Sequence, residues 1–443
     1  VDSRGRPQKV EKEEPPIVGE DIFLSLDIKL QITAEQLLQG RRGAIVAIDP
    51  RNGEVLALAS VPMFDPNLFV NGISHKNYNA LRNNPGRPLY NRALQGGYPA
   101  GSTIKPIVAL AGYHHGIVSP SSSVRAPGFF QIPGHRHKYR CWNKRGHGSV
   151  NMNYAIAQSC DVYFYDLAYR LGIDKFSKFM NQFGFGIRTG IDLPSESSGL
   201  MPTREWKKKR YGTNWYPGDT VNIGIGQGFW LSTPLQLASA TATLAMRGER
   251  KQPHLLRGVR ISKNLPATLI KPEPLKRVIV KSEKMWNAPI TGMINVVHSG
   301  YGTARKIAGA PYKIAGKTGT VQVVSIAQGE RYDARRLAKK FHDHSLFVAF
   351  APPNDPKVAI AVVAENSGGG SKFAAPVGRK MLDAAILQRY ILPEGLDLEP
   401  EDNKNKDKDN KDPTTANGKK GNKKEDDNTS DANPASNKKK PAE

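Results

Sequence analysis

The sequence predicts an α+β fold: a five-stranded, mostly antiparallel sheet covered by helices, with a helical lobe inserted into it. Three observations carry this. Apolar runs bounded by turn residues gather at the two ends of residues 44–395. Helical spacing dominates the stretch between them. No internal repeat interrupts the pattern.

Residues 1–43 read as a linker, rich in Pro and charge, that ends in a short helix near Leu30 to Leu38. Ala44 to Asp49 and Glu54 to Ala59 are two strands of a hairpin, with Asn52-Gly53 supplying the turn. Gly96-Gly97-Tyr98-Pro99-Ala100-Gly101 is turn chemistry, and an apolar helix follows from Ser102. Pro106 is tolerated there because the first helical turn has no partner for its missing N–H. Apolar residues recur at helical spacing after Ser159, and Gly172 closes that helix. Leu235 to Met246 and Met285 to Val297 are further helices of the lobe. Lys313 to Val324 is a strand, and Ser345–Phe350 with Val358–Val363 form a second hairpin. Ala375 to Leu392 is an amphipathic helix for one face of the sheet. Residues 325–343 are polar and basic and are expected to be mobile at the surface. Residues 396–443 are a Lys, Asp and Asn tail of low complexity, expected to be disordered.

Three short motifs stand on these elements. Ser102-Thr103-Ile104-Lys105 opens the first helix, so Lys105 lies one turn from Ser102 on the same face. A serine hydroxyl needs a base to attack, and lysine serves only when neutral. Burial and a second positive charge lower a lysine pKa, and Lys317 is the candidate for that charge. Ser159-Cys160-Asp161 either caps its helix through Ser159 or relays a proton through that hydroxyl while Asp161 orients a substrate. Lys317-Thr318-Gly319-Thr320 lies on a strand that Gly316 and Gly319 weaken, which marks close approach of a ligand backbone. Lys317 attracts a carboxylate, the Thr318 and Thr320 hydroxyls bond it, and the N–H groups of Thr320 and Ser102 make an oxyanion hole. A second SxxK at Ser436 to Lys439 sits among Lys and Asn, with no helix to orient it.

An SxxK, an SxN-like triplet and a KTG in this order resemble the penicillin-binding proteins and serine β-lactamases. The stretches Met201 to Lys207, Gly218-Asp219-Thr220, Gly224 to Gly228, Asp65 to Ser74 and Gly146-His147-Gly148 narrow the likeness. They are similar to the class B, monofunctional penicillin-binding proteins of cell elongation, over roughly residues 1–395. Asp161, where the broad superfamily has Asn, agrees with that narrower group. The resemblance implies a penicillin-binding transpeptidase fold and a D,D-transpeptidase: Ser102 takes the acyl group of a D-Ala-D-Ala stem peptide, and a neighbouring amine resolves it into a cross-link. It implies trapping of Ser102 by β-lactams and a role in rod-shape maintenance. It implies no cofactor for the chemistry, and partners among the SEDS-family glycosyltransferases and elongation scaffold proteins. It also implies a place on the periplasmic face of the inner membrane, with an anchor and pedestal domain ahead of residue 1.

The formal charge is +24 over 443 residues. Residues 401–443 hold 11 Lys and 10 acidic residues, so +23 lies on the rest. No basic stripe interleaved with aromatics and no nucleic-acid motif accompanies it, which points to an anionic wall polymer or membrane surface and excludes nucleic acid. No apolar run approaches the ~18 residues of a membrane span.

Cys141 and Cys160 are the only cysteines. A disulfide, two free thiols and a metal site are all open in an oxidising envelope. Two thiolates with His147 suit structural zinc. Some relatives hold zinc with Asp, Asp, His and Cys, and the matching positions here are Ala126, Cys141, His147 and Cys160. Ala126 cannot ligate, which leaves His135, His137 or a water as the fourth ligand.

Other functions use the same parts. A D,D-carboxypeptidase or β-lactamase shares the nucleophile and admits water, but no deacylating base is identified. A β-lactam sensor carries a membrane signalling region, and a plain basic binding module would not react with penicillin.

Overall fold

Asn52-Gly53 closes the first hairpin as its chemistry requires. Gly53 takes φ of 91°, and its N–H returns to the Asp49 carbonyl at 2.9 Å. The strands it joins, Gly43–Ile48 and Val55–Val61, differ in pattern. The first is buried at every residue and so lies inside the sheet. The second alternates buried and half-buried, as an edge strand with one covered face does.

The computed structural model describes residues 3, 19–271, 274–324, 337–396 and 398. Most of the polar segment after Val324 and nearly all of the predicted tail therefore lie outside the described residues. Residues 1–394 form one unit; of a second, Gly395–Glu443, only 395, 396 and 398 are described.

The main sheet has five strands in the order Ala315–Val321, His344–Ala351, Val358–Ala364, Gly43–Ile48, Val55–Val61. All four pairings are antiparallel, and Lys317 stands opposite Val348. Strands from both ends of the unit thus meet in the middle, where Val362 faces Ile45. Val358–Ala364 is buried throughout because helices cover both of its faces. Gly378 on helix Ala374–Leu387 lets that helix settle on the Phe347 ring and the Ile360 side chain. Helix Pro234–Ala245 also packs on the sheet, and a capping box of Thr233 and Gln236 starts it.

The lobe between the nucleophile motif and the Lys317 strand is helical, as predicted. It includes Met152–Ala157, Asp161–Leu171, Ile173–Gln182 and Asn287–His298. Residues 21–38, read from sequence as part of a linker with one helix, also carry the strand Asp21–Leu24, which pairs with Leu256–Arg260. Helix Ile28–Leu37 follows and buries Leu30, Thr33 and Ala34. No helix among the described residues is long and apolar enough to cross a membrane.

Candidate active site

Ser102 stands in a single 3₁₀ turn, Gly101–Ile104, that runs directly into helix Lys105–His114. Gly101 takes φ of 55°, and its N–H donates to the Gly226 carbonyl at 2.8 Å. A Cβ at Gly101 would lie 2.8 Å from Val321 Cγ2. The nucleophile turn is therefore pressed between the Lys317 strand and the Gly224–Gly228 loop, and only glycine permits the approach.

The glycines of the third motif serve the same packing. A Cβ at Gly319 would meet Thr103 Cγ2 at 2.8 Å, and one at Gly316 would meet the Phe347 ring at 2.7 Å. The sequence reading assigned these gaps to a ligand backbone. The structure fills them with the protein's own side chains, because the nucleophile turn and the next strand pack against that ribbon.

Lys105 is fully buried and makes three polar contacts. Its Nζ lies 2.7 Å from Asp161 Oδ1, donates to the Ser159 carbonyl at 3.0 Å, and reaches Ser159 Oγ at 3.3 Å. Lys317, also fully buried, donates to Ser159 Oγ at 2.9 Å and to the Thr318 carbonyl at 3.1 Å. The Ser159 hydroxyl thus joins two amines. Burial drives Lys317 well below the ordinary lysine range, and the Lys105 charge beside it adds to this. The sequence reading gave the neutral role to Lys105 and the charged role to Lys317. The structure pairs the first with a carboxylate and, among the described residues, buries the second without one. Asp161, in place of the Asn usual in the broad superfamily, makes that difference.

Ser159 does not cap the following helix. Cys160 holds the N-cap position, and Ser159 takes φ of 55°, an uncommon conformation for a residue with a side chain. This turns Ser159 out of the helix line and into the site, a strained geometry of the kind functional positions keep. Thr318 is buried and Thr320 exposed, on a strand whose outer edge pairs with no other strand among the described residues. Such an edge can take an extended peptide by strand addition.

Sequence reasoning missed three residues. The Thr303 hydroxyl lies 3.0 Å from that of Thr318, and its N–H donates to the Ala157 carbonyl at 3.2 Å. The Trp142 N–H donates to Asp161 Oδ2 at 3.0 Å. The Gln158 side chain donates to the Tyr301 carbonyl. Trp142 and Thr303 reach the site from other segments, so no local spacing marks them, and Gln158, next to Ser159, shows its role only through its bond to the distant Tyr301.

Cys141, His147 and Cys160 each bring a ligand atom within 4.8 Å of the other two. His135 and His137 are exposed and lie outside this group among the described residues. Both thiols are free. A hydrogen bond between them raises Cys141, with burial adding to it, and lowers Cys160.

The match to known proteins follows this geometry. Residues 43–383 match the penicillin binding protein transpeptidase domain. The chain belongs to that family. It is 51% identical over 374 residues to the peptidoglycan D,D-transpeptidase MrdA of Acinetobacter baumannii, covering 84% of this chain and 55% of the relative. The chain spans 55% to 61% of the length of the first curated relatives it matches. A crystal structure of Pseudomonas aeruginosa PBP2 in complex with WCK 5153 is 48% identical, with a TM-score of 0.77, covering 87% of this chain and 80% of that one. A complex of PBP2 with MreC from Helicobacter pylori is 34% identical, with a TM-score of 0.72, covering 83% and 64%. In fold, the family's transpeptidase architecture is the α+β sheet and helical lobe described above.

Proposed function

We propose that the chain is the catalytic part of a peptidoglycan D,D-transpeptidase. One observation carries the reading: the Ser102 turn with Lys105, then Ser159, then Lys317 converge from three separate segments beside the open edge of the Lys317 strand. The stem peptide adds to that edge, with its terminal carboxylate on Thr318 and Thr320. Ser102 Oγ attacks the carbonyl between the two D-alanines, and the N–H groups of Ser102 and Thr320 receive the oxyanion. One proton is shared by two lysines through the Ser159 hydroxyl. When it sits on Lys317, Lys105 is free to accept the Ser102 proton, and the relay returns a proton to the departing D-alanine. An amine of a second stem peptide then takes the acyl group from Ser102, which restores the hydroxyl.

β-Lactams enter the same route and stop at the Ser102 ester. The relatives' names support a role in wall synthesis, and the PBP2–MreC complex supports MreC as a scaffold partner; a polymerising glycosyltransferase in the same assembly goes with this reading. The catalytic face belongs on the outer side of the inner membrane, where the substrate is. Labelling by a fluorescent penicillin tests the reading. A stoichiometric adduct that Ser102→Ala abolishes is expected; an adduct that survives in Ser102→Ala overturns it. A single nitrocefin burst is expected, and sustained turnover would make the chain a hydrolase instead.

We further propose a structural zinc on Cys141, His147 and Cys160. The donors fit: two buried thiols and an imidazole, with Cys141 Sγ 3.7 Å from His147 Nδ1. Sulfur and nitrogen ligands of tetrahedral zinc stand about 3.6 Å apart. The metal would fasten the loop of residues 125–150 to the turn that carries Ser159, and a water would complete it. Elemental analysis of protein purified without a metal-affinity tag should give one zinc per chain. Sub-stoichiometric zinc with a Cys141–Cys160 disulfide by mass spectrometry rejects the site.

A further inference from the structure

Trp215 is buried, yet it lines a cavity of about 210 Å³. Its indole N–H donates to the Thr220 hydroxyl at 2.7 Å, its ring stands 6.4 Å from the Phe229 ring, and Lys207 Nζ lies 5.9 Å from its centre. Lys207 is itself buried and paired with Asp219. Its Nζ also lies over the Tyr216 ring at 4.6 Å and the Phe229 ring at 5.6 Å. Trp206 and Tyr211 close the group, each with its ring 5.4 Å from that of Phe229. Aromatic rings thus gather round one paired lysine, and two of them, Tyr211 and Tyr216, are more than half exposed. Rings locked in this way lose no further freedom when something lies on them.

The other walls of the cavity are polar. Helix Arg204–Tyr211 supplies Arg204, Glu205 and Lys208, and Asn214 completes the lining. Arg204 and Lys208 stand one turn apart on the same helix face. Arg204 is tied to Asp174 at 3.0 Å. Lys208 and Asn214 are exposed, and among the described residues neither side chain makes a hydrogen bond or ion pair. Lysine donates, glutamate accepts and asparagine does both. An aromatic floor with such groups at its rim suits a sugar ring, which offers C–H groups on its face and hydroxyl and acetamido groups at its edge. An apolar molecule would strand those polar groups, and a flat bilayer does not enter a cavity. Lys209 and Arg210 continue the positive charge along the helix, and neither forms an ion pair among the described residues. That charge is complementary to carboxylates carried beside the sugars.

We propose that this cavity is a docking subsite for the N-acetylated sugar chain of the wall polymer, apart from the residues that react with its stem peptides. One sugar lies on the Trp215 ring, held by Lys208 and Asn214, and carboxylates of the stem peptides lie along Lys208, Lys209 and Arg210. The proposal rests on the transpeptidase reading, which makes that polymer the substrate. The subsite shares its footing with the nucleophile. Phe229 directly follows the Gly224–Gly228 loop, whose Gly226 carbonyl accepts from the Gly101 N–H at 2.8 Å. Helix Pro217–Ile223, which carries Asp219, packs on helix Asp161–Leu171. A glycan strand seated there is held by the same block that holds the Ser102 turn and Asp161, which raises the effective concentration of its stem peptides at Ser102.

The test measures retention of the chain on purified wall sacculi after penicillin has blocked Ser102, so that the reactive cleft is closed. The blocked parent should be retained. A soluble, stem-free oligosaccharide of N-acetylated sugars should displace it and change its tryptophan fluorescence. Trp215→Phe keeps a ring on the cavity floor and should remove most of that fluorescence change. Lys208→Glu/Asn214→Ala, at two exposed positions, should bind sacculi about tenfold more weakly, the scale of two lost hydrogen bonds. That loss should exceed any change in the rate of penicillin acylation by about the same factor. The subsite is overturned by a blocked parent that is not retained, by an oligosaccharide that does not displace it, by a fluorescence change that persists in Trp215→Phe, or by a double variant retained like the parent. It is also overturned if vesicles of anionic lipid bind the parent as well as sacculi do and lose it equally in the double variant, which would make the surface a membrane contact. Failure of penicillin to label the parent at Ser102 would instead overturn the reading of the reaction. Sacculus binding by the unblocked chain, and its loss in the double variant, would then still decide the subsite, so the two failures are told apart.

Discussion

At the level of single residues, the site turns on two lysines whose surroundings differ. Both are buried, but among the described residues only Lys105 is paired with a carboxylate, Asp161, at 2.7 Å. Lys317 is held well below the ordinary lysine range, chiefly by burial. Its stability consequence has a definite sign. Between the folded value and about 10.4, the unfolded chain binds a proton that the folded chain does not. Stability contributed by this residue therefore rises with pH through that window, and its cost is full below the folded value. Lys317→Met keeps the volume and removes the amine. We expect it to abolish acylation by penicillin while stabilising the fold at neutral pH by about 1 to 3 kcal/mol, as replacement of buried ionic groups can. The gain should shrink as pH approaches about 10. Thermal unfolding of both proteins across that range checks this, and a Met variant less stable at pH 7 would refute it.

At the level of elements, the nucleophile turn is held by close backbone approaches. Gly319 admits Thr103, whose Cγ2 would stand 2.8 Å from an added Cβ, with Leu346 Cβ at 3.0 Å. Gly319→Ala should cost about 1 to 3 kcal/mol, the usual scale of overpacking. It should also slow acylation, because the displaced neighbour is next to Ser102. Adding Thr103→Ser removes the methyl in the way, and the double variant should recover part of both losses. Purely additive losses in the double variant, by thermal melts and labelling rate, would show that the contact is not the cause. The hairpins, the helical lobe and the count of five mostly antiparallel strands were legible, because apolar runs, helical spacing and turn residues are local signals; the order of the strands was not, because it rests on pairings between distant segments. The reason for Gly319 was not: its partner Thr103 lies on a different element, and only the folded pairing brings them together. Trp142 and Thr303 escaped notice for the same reason, whereas Ser102, Ser159 and Lys317 were legible because each sits in a short motif of fixed spacing. The strand Asp21–Leu24 was hidden by its polar, charged surroundings and by a partner at Leu256–Arg260.

At the level of the whole molecule, Glu365 ties the two ends of the unit to the nucleophile turn. Standing just past the end of strand Val358–Ala364, it accepts from Arg92 at 2.8 Å and from the Tyr98 hydroxyl at 2.8 Å, and pairs with Arg42 at 3.1 Å. Tyr98 in turn exchanges backbone hydrogen bonds with Ser232, and Ser102 follows four residues later. One carboxylate thus gathers segments that nothing in the sequence links. Burial raises its pKa, but the Arg92 charge, its hydrogen bonds with Tyr98 and Arg92, and Arg42 outweigh this, so Glu365 lies below the ordinary range. A depressed carboxylate contributes stability that is present above about pH 4.3 and is lost as pH falls through the folded value. Glu365→Gln removes the charge and leaves Arg92 buried without its anion. We expect a loss of about 2 to 3 kcal/mol, below the full cost of a broken buried pair because Arg42 is partly solvated. The gap between parent and variant should be constant from pH 8 to about pH 5 and should narrow below about pH 4.3. Acylation should slow as well, since the Tyr98 anchor of the Ser102 turn is loosened. Denaturant melts across that range, with penicillin labelling at pH 7, separate the two effects. If stability falls while the labelling rate is unchanged, the network braces the fold without positioning the nucleophile; if the gap fails to narrow in acid, Glu365 is not the anion that holds it.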